Sequence, residues 1–249
     1  MKDLAEHKKI AVLIDADNAQ YSKIKLILDE ISTHGHIVVK RAYGDWSSKY
    51  LKNWKQCLNE LAIQPIQQFA YTIGKNSTDA SMIIDTMDLL YSNKFDAFVL
   101  VSSDSDFTKL ASRLKESEIF VFGVGEKKTP IPFKNACDDF IYTENLSDIL
   151  EQDHSKDDIL KKDTESLKQL IPLLKKGWVK YRDDDDWANV AAVGSSIKRT
   201  NPDFDPRTYG ALKLPEIIKK LDNVFEMTKY PGKGTVTIIA YRPLTKNIP

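Results

Sequence analysis

Cysteine is scarce: 249 residues hold two, Cys57 and Cys137, too few for a disulfide framework and too far apart for a zinc knuckle. A reducing cytoplasm is therefore the expected compartment, and no zinc site is expected. Histidine is nearly as rare. His7, His34, His36 and His154 show no paired metal-ligand spacing, and His36 reads as an ordinary residue in or before a strand. Long apolar runs are missing: nothing approaches the ~18 apolar residues needed to span a bilayer. The charged start, residues 1–9, leads into a short apolar stretch without the h-region and cleavage site of a signal peptide. No G-x-x-x-x-G-K-[ST] and no G-x-S-x-G occurs, and the pair Gly123 and Gly125 lacks a third glycine. P-loop nucleotide hydrolases and serine-triad hydrolases are thereby set aside. Net charge is absent as well. The balance of 36 basic against 36 acidic residues argues at first sight against a nucleic-acid partner, which usually demands excess Lys and Arg.

What is present begins with rhythm. Over the first 145 residues, short β-branched runs alternate with amphipathic stretches, the pattern of strands joined through helices into a parallel sheet. Strands are predicted at 9–14, 36–43, 63–70, 95–102 and 119–124, with a weaker one at 140–143. Helices are predicted at 21–32, 48–61, 79–91 and 107–115. The fold class is α/β with a central parallel sheet.

A domain boundary follows. Residues 151–165 read EQDHSKDDILKKDTE, a solvated connector rather than a buried element. Three domain ranges result: 1–150, a linker at 151–165, and 166–249. In the last, Leu167, Leu170, Ile171 and Leu174 outline a short helix with Pro172 near its middle. Further helices are expected at 187–198 and 212–221. Two β-type runs, 224–228 and 235–241, flank the turn Pro231-Gly232-Lys233-Gly234. Three helices and a glycine-tipped hairpin spell a winged helix-turn-helix.

The chemistry-bearing residues of the first domain are acids at element ends. The strand at 9–14 runs into Asp15-Ala16-Asp17-Asn18, and the strand at 95–102 into Ser103-Asp104-Ser105-Asp106. Parallel sheets bind ligands at this edge, and in a doubly wound sheet the first and fourth strands are often neighbours, which would bring Asp15 and Asp104 together. In an extended chain, only one acid of each pair need point at a shared site. Asp79 heads the helix stripe of Ile83, Met87 and Leu90, whereas Asp85 projects from a different line and ranks second. Any one of these acids alone reads best as a helix cap. Together they would repel one another unless a cation sat among them. All-oxygen ligands select Mg²⁺ or Mn²⁺, and such an ion suits phosphodiester hydrolysis. An Asp-nucleophile phosphatase of the HAD type, using Asp15 and Asp17, is the competing reading.

Three runs, VLIDADN (12–18), GKNSTDASMIIDTMDLLY (74–91) and VSSDSDFTKLASRLKESEIFVFGVG (101–125), resemble the NYN domain, the PIN-like ribonuclease fold of the LabA-like family. The resemblance covers about residues 8–145 and implies a PIN-like three-layer α/β sandwich with a Mg²⁺ or Mn²⁺ site. It implies Asp15, Asp79 and Asp104 as metal ligands, with Asn18 and Asp106 completing the catalytic set. The phosphatase reading gives way, since that family's further signatures cannot be placed. The run WANVAAVGSSIKRTNPDFDPRTYGALKLPEIIKKLDNVFEM (187–227) resembles the LOTUS or OST-HTH domain, with Phe204, Pro206, Tyr209 and Gly210 at its F-x-P-x-x-Y-G turn. That resemblance covers about 166–243 and implies binding of RNA or protein partners. Gly177-Trp178 and the four aspartates 183–186 lengthen the connection before Trp187, a departure that sets an acidic patch where RNA would be repelled.

The charge count then divides. Residues 1–150 carry 18 basic against 21 acidic side chains, and residues 166–249 carry 15 against 9, so an acidic domain is joined to a basic one. Lys198, Arg199, Arg207 and Lys213 surround the turn that enters the second helix of the motif, as phosphate contacts require. Solvated helix ends would look the same. In the first domain Lys75, Lys127, Lys128 and Lys134 flank the site-side loops, with Lys75 the expected phosphate guide. Tyr43 and Trp46 offer base stacking, although closing the sheet edge suits them better. The expected function is a metal-dependent ribonuclease acting on RNA phosphodiesters, with a C-terminal RNA-binding module. A non-catalytic RNA- or protein-binding adaptor is the alternative, and a DNA nuclease lies between.

Overall fold

The computed structural model describes residues 9–69, 77–146, 167–232 and 237–244. The chain divides into two compact units, 1–149 and 150–249. The linker expected at 151–165 lies outside the described residues, as do Lys75 and the hairpin tip at 233–236.

In the first unit six strands form one parallel sheet: β1 (Lys9–Asp15), β2 (His36–Gly44), β3 (Gln64–Gln67), β4 (Ala97–Val101), β5 (Phe120–Gly125) and β6 (Asp139–Tyr142), in the order β3-β2-β1-β4-β5-β6. Strands β1 and β4 are buried on both faces, which is why they read as continuous apolar runs rather than alternating ones. Helices α1 (Ile24–Ser32), α2 (Trp54–Glu60), α3 (Ser77–Tyr91), α4 (Thr108–Glu116) and α5 (Ile131–Ala136) supply the crossovers. Alternation along β1 divides the core: Ile10, Val12 and Ile14 pack with Ile24, Ile27, Trp54 and Leu58. Ala11 and Leu13 pack with Met82, Leu110, Leu114 and Phe133 on the other face. The result is the expected three-layer α/β arrangement.

Two local readings shift. The helix expected at 48–61 is a 3₁₀ turn, Lys49–Leu51, followed by α2. Helix α5 was not legible in the apolar pattern because it is only six residues long; Pro130 before it and Pro132 in its first turn are the signal that marks its start. On α3 the innermost residues are Met82, Thr86 and Leu90, with Ile83 and Met87 half-buried, so the stripe is turned by about one residue from its sequence reading.

The second unit is built from α6 (Ile171–Tyr181), β7 (Ala188–Asn189), α7 (Val190–Thr200), α8 (Leu214–Lys220), β8 (Phe225–Pro231) and β9 (Thr237–Pro243), with an antiparallel sheet β7-β9-β8. This is the winged helix-turn-helix succession. Pro172 lies in the first turn of α6, not its middle, where its missing N–H costs nothing. Gly177 and Trp178 belong to the helix and are buried, so they do not lengthen a loop. The four aspartates form a tight turn, with Asp183 Oδ1 accepting from the backbone N–H of Asp185 (3.1 Å) and Trp187 (2.8 Å). The F-x-P-x-x-Y-G segment is a 3₁₀ turn, Pro206–Tyr209, ended by Gly210 at φ 66°, a left-handed conformation that glycine adopts at no steric cost. Gly177 is demanded by close approach instead: a Cβ there would lie 2.5 Å from Val193 Cγ1. Replacing Gly177 with Ala should destabilise this unit by ~1–3 kcal/mol, read as a lower urea midpoint in the fluorescence of Trp178 and Trp187. An unchanged midpoint would mean that α6 and α7 can part at no cost.

Candidate metal centre

The strand order reverses between β1 and β4, which are hydrogen-bonded neighbours from Ile10 to Ile14 against Ala97 to Val101. Their carboxyl ends therefore form the switch-point crevice where ligands of open α/β sheets bind. Asp15, the last residue of β1, is 1% exposed. Its Oδ2 accepts from Asn18 Nδ2 and from Ser102 Oγ, each at 2.7 Å. Its Oδ1 is buried with no hydrogen-bond partner among the described residues. Ser102 Oγ in turn accepts the Asp104 N–H at 3.0 Å, so one hydroxyl ties the ends of both central strands together.

Past Ser102 the chain enters a 3₁₀ turn, Ser105–Phe107, that Asp104 caps by accepting the Asp106 N–H at Oδ1 (2.9 Å). Capping and clustering are thus compatible. Asp79 arrives in the first turn of α3. One carboxylate oxygen from each of Asp79, Asp104 and Asp106 lies within 4.8 Å of the others. That is close to the ~3–4 Å between ligands of a single octahedral ion with bonds of ~2.1 Å. Asp15 is not in this trio, although it stands first among the charges acting on Asp79.

The electrostatics follow from this crowding. Burial raises Asp79, and the charges of Asp15, Asp104, Asp106 and Asp17 raise it further, to about 6. A helix N-terminus would ordinarily favour the ionised acid; here desolvation and four acids outweigh the dipole. Burial also raises Asp15, against the pull of its bonds to Ser102 and Asn18. Asp17, passed over when one acid of each pair was expected to serve, is raised by burial and steadied by a hydrogen bond from Thr78. An orphaned buried carboxylate oxygen beside three clustered acids is what a hard divalent cation would satisfy.

The remaining predicted residues fall into place differently. Asp85 accepts hydrogen bonds from Arg41 and the Tyr43 hydroxyl, which rivets α3 to β2 and neutralises that acid away from the trio. Asp85→Ala should cost ~1–3 kcal/mol by leaving both donors unmet, measured as a lower thermal midpoint, whereas Asp85→Asn should recover part of it. Tyr43 is fully buried in the core on the interior strand β2, so it neither stacks on a base nor closes the edge, whereas Trp46 donates Nε1–H to the Ile66 carbonyl of the edge strand β3 at 2.9 Å. In the second unit Lys198 donates to the Phe204 carbonyl (3.1 Å) and Arg207 makes a forked pair with Asp205. Both shape the turn itself. Arg199 and Lys213 are exposed. Ser102 went unread in the sequence, its only signal being its position at a strand end next to Asp104. Among the described residues no helix is long and apolar enough to cross a membrane.

Comparison with known proteins finds two domain families. The family model of the NYN domain matches residues 9–149, and that of the OST-HTH/LOTUS domain matches residues 162–237. NYN domains are typically nucleases, and OST-HTH/LOTUS domains bind RNA. No curated protein matches. Among solved structures, a protein of unknown function from Vibrio parahaemolyticus is similar at 18% identity and a TM-score of 0.47, over 57% of this chain and 96% of that one.

Proposed function

Because the chain belongs to the NYN domain family, we propose that it is a metal-dependent ribonuclease whose second unit holds the RNA. The observation that carries this reading is the trio Asp79, Asp104 and Asp106 at the switch point, with Asp79 raised to about 6 by its acidic neighbours. These three side chains would hold a Mg²⁺ or Mn²⁺ ion, and Asp15 would present its orphaned Oδ1 from the buried side. Such an ion, when bound, supplies an activated water and neutralises charge on the scissile phosphate.

The chain's own residues do the rest. Asn18 and Ser102 fix the Asp15 carboxylate by occupying Oδ2, which leaves Oδ1 a single direction in which to act. The Asp104 cap holds the turn that carries Asp106. Gly125 keeps the crevice wall thin: a Cβ there would meet the Ser102 carbonyl and Thr129 Oγ1, each at 2.7 Å. In the second unit exposed Arg199 and Lys213 would contact phosphates and so position RNA without reading sequence. The test is direct: the purified chain should shorten an end-labelled RNA in Mn²⁺ or Mg²⁺ and leave it intact in EDTA. Intact RNA in both buffers would reject the reading.

A further inference from the structure

One stretch of the first unit, at the same carboxyl edge of the parallel sheet as the acids, sets an exposed aromatic ring among lysines. Past the end of β2 the chain reads Lys49-Tyr50-Leu51-Lys52-Asn53-Trp54-Lys55. Leu51 and Trp54 are buried, at 6% and 2% exposure, and anchor the segment to the core. The other face therefore has to point outward. Tyr50 is 93% exposed, and Lys49, Lys52 and Lys55 are exposed around it. The 3₁₀ turn that carries Tyr50 is held by Ser48, whose hydroxyl accepts the Tyr50 N–H at 3.3 Å.

A second ring arrives from the next strand. Gln68 N–H donates to the Gly44 carbonyl at 3.2 Å, and the residue after it, Phe69, is 55% exposed. Gly44 links this surface to the acids: a Cβ on it would lie 2.6 Å from Leu51 Cδ1 and 3.7 Å from Asp17 Oδ1. Tyr50 and Phe69 are thus each one residue from a group packed close to Gly44, and the neighbouring Tyr43 carbonyl accepts the Ala16 N–H of the β1 acidic loop at 2.9 Å. Among the described residues the edge of the sheet is closed by Trp46, through its bond to Ile66 and its edge-on contact with Trp54, so neither exposed ring is needed there.

We propose that Tyr50 and Phe69 form a stacking platform for unpaired bases of a single-stranded nucleic acid, with Lys49, Lys52 and Lys55 on its phosphates, and that this platform delivers the strand to the acid trio. The inference rests on the nuclease reading for its direction, and specifies which residues select an unpaired strand. Exposed aromatic rings interleaved with lysines are how strands without fixed sequence are held, because every base has a π-face. A duplex keeps its bases stacked on one another and offers these rings nothing, so the surface discriminates against it. An acidic site also needs a basic approach for a polyanion, and this segment provides one within a domain whose net charge is negative.

The test uses the full-length chain carrying Asp104→Asn, in EDTA, so that RNA survives. A 12-nucleotide oligouridine containing 4-thiouridine is photocrosslinked, and the attached peptides are identified by mass spectrometry. Crosslinks at Tyr50 or Phe69 are expected. The double variant Tyr50→Ala, Phe69→Ala should lose those crosslinks and bind the strand at least about tenfold more weakly by anisotropy, with little change for a 12-base-pair duplex. Tyr50→Phe should bind as the parent does, because stacking needs the ring and not the hydroxyl. Crosslinks confined to residues 166–249, or equal binding by parent and double variant, would overturn the platform. Cleavage by the parent alongside either result leaves the nuclease reading standing. Absence of cleavage together with intact Tyr50 crosslinks would reject that reading and keep the platform as a binding surface.

Discussion

Asp104→Asn should lower metal-dependent RNA cleavage by about 10³-fold, the equivalent of several kcal/mol of transition-state stabilisation at ~1.4 kcal/mol per factor of ten. The substitution is chosen because it separates charge from structure. Asp104 Oδ1 caps its turn by accepting the Asp106 N–H, and the Asn carbonyl oxygen can accept the same bond. The turn should therefore survive while one of the three clustered charges is removed. Circular dichroism should superimpose on that of the parent. A variant that degrades RNA at the parent's rate would show that the trio is not the catalytic centre.

Metal binding and pH should be linked through Asp79. Its folded-state value, about 6, lies above the ordinary 3.8, so the folded chain holds this proton more tightly than the unfolded chain. Stability then falls as pH rises through that window, because the slope follows the protons bound by the unfolded state minus those bound by the folded state. In EDTA, Asp79→Asn should consequently melt higher than the parent at pH 7.5, with the difference gone at pH 4. Mn²⁺ should reverse the order, since it binds only the ionised cluster. At one hundred times its dissociation constant it should stabilise the parent by ~2.7 kcal/mol, a rise of roughly 5–10 °C for a unit of this size. That rise should shrink as pH drops from 7.5 to 5. Scanning calorimetry across pH, with and without Mn²⁺, checks both signs. A Mn²⁺ shift that is absent, or equal at pH 5 and 7.5, contradicts the linkage.

The two central strands could be read directly because burial on both faces leaves no polar alternation, as in KIAVLID and AFVLV. The strand-end acids were legible for the same reason: a charged run that directly follows such a strand can only lie at its carboxyl edge. Helix α5 escaped notice because six residues give too little period to detect. Trp187 was placed in a helix that in fact begins at Val190, after the two-residue strand β7. So short a strand exists only because β9 pairs with it, and a pairing between residues more than fifty apart leaves no local trace.

The site shows the same division. Residue type and position at strand and helix ends pointed to Asp15, Asp79 and Asp104 without coordinates, and the resemblance to the NYN domain added Asn18 and Asp106. Which of them meet was a matter of strand order: only the adjacency of β1 and β4 lets Ser102 bond Asp15 and places Asp104 and Asp106 beside the start of α3. The same holds for Asp85, an acid like the others in the sequence, which the packing of α3 on β2 turns into the partner of Arg41 and Tyr43. It holds also for the aromatic residues, since hydropathy cannot tell Trp46, which seals the edge, from Tyr50, which faces solvent. The class of fold, the division of charge between two domains and the acidic character of the centre follow from short-range pattern and composition. The composition of the trio, the orphaned oxygen of Asp15 and the exposed ring of Tyr50 depend on contacts between distant segments, because only the closed sheet sets which side chains share a crevice and which are left facing water.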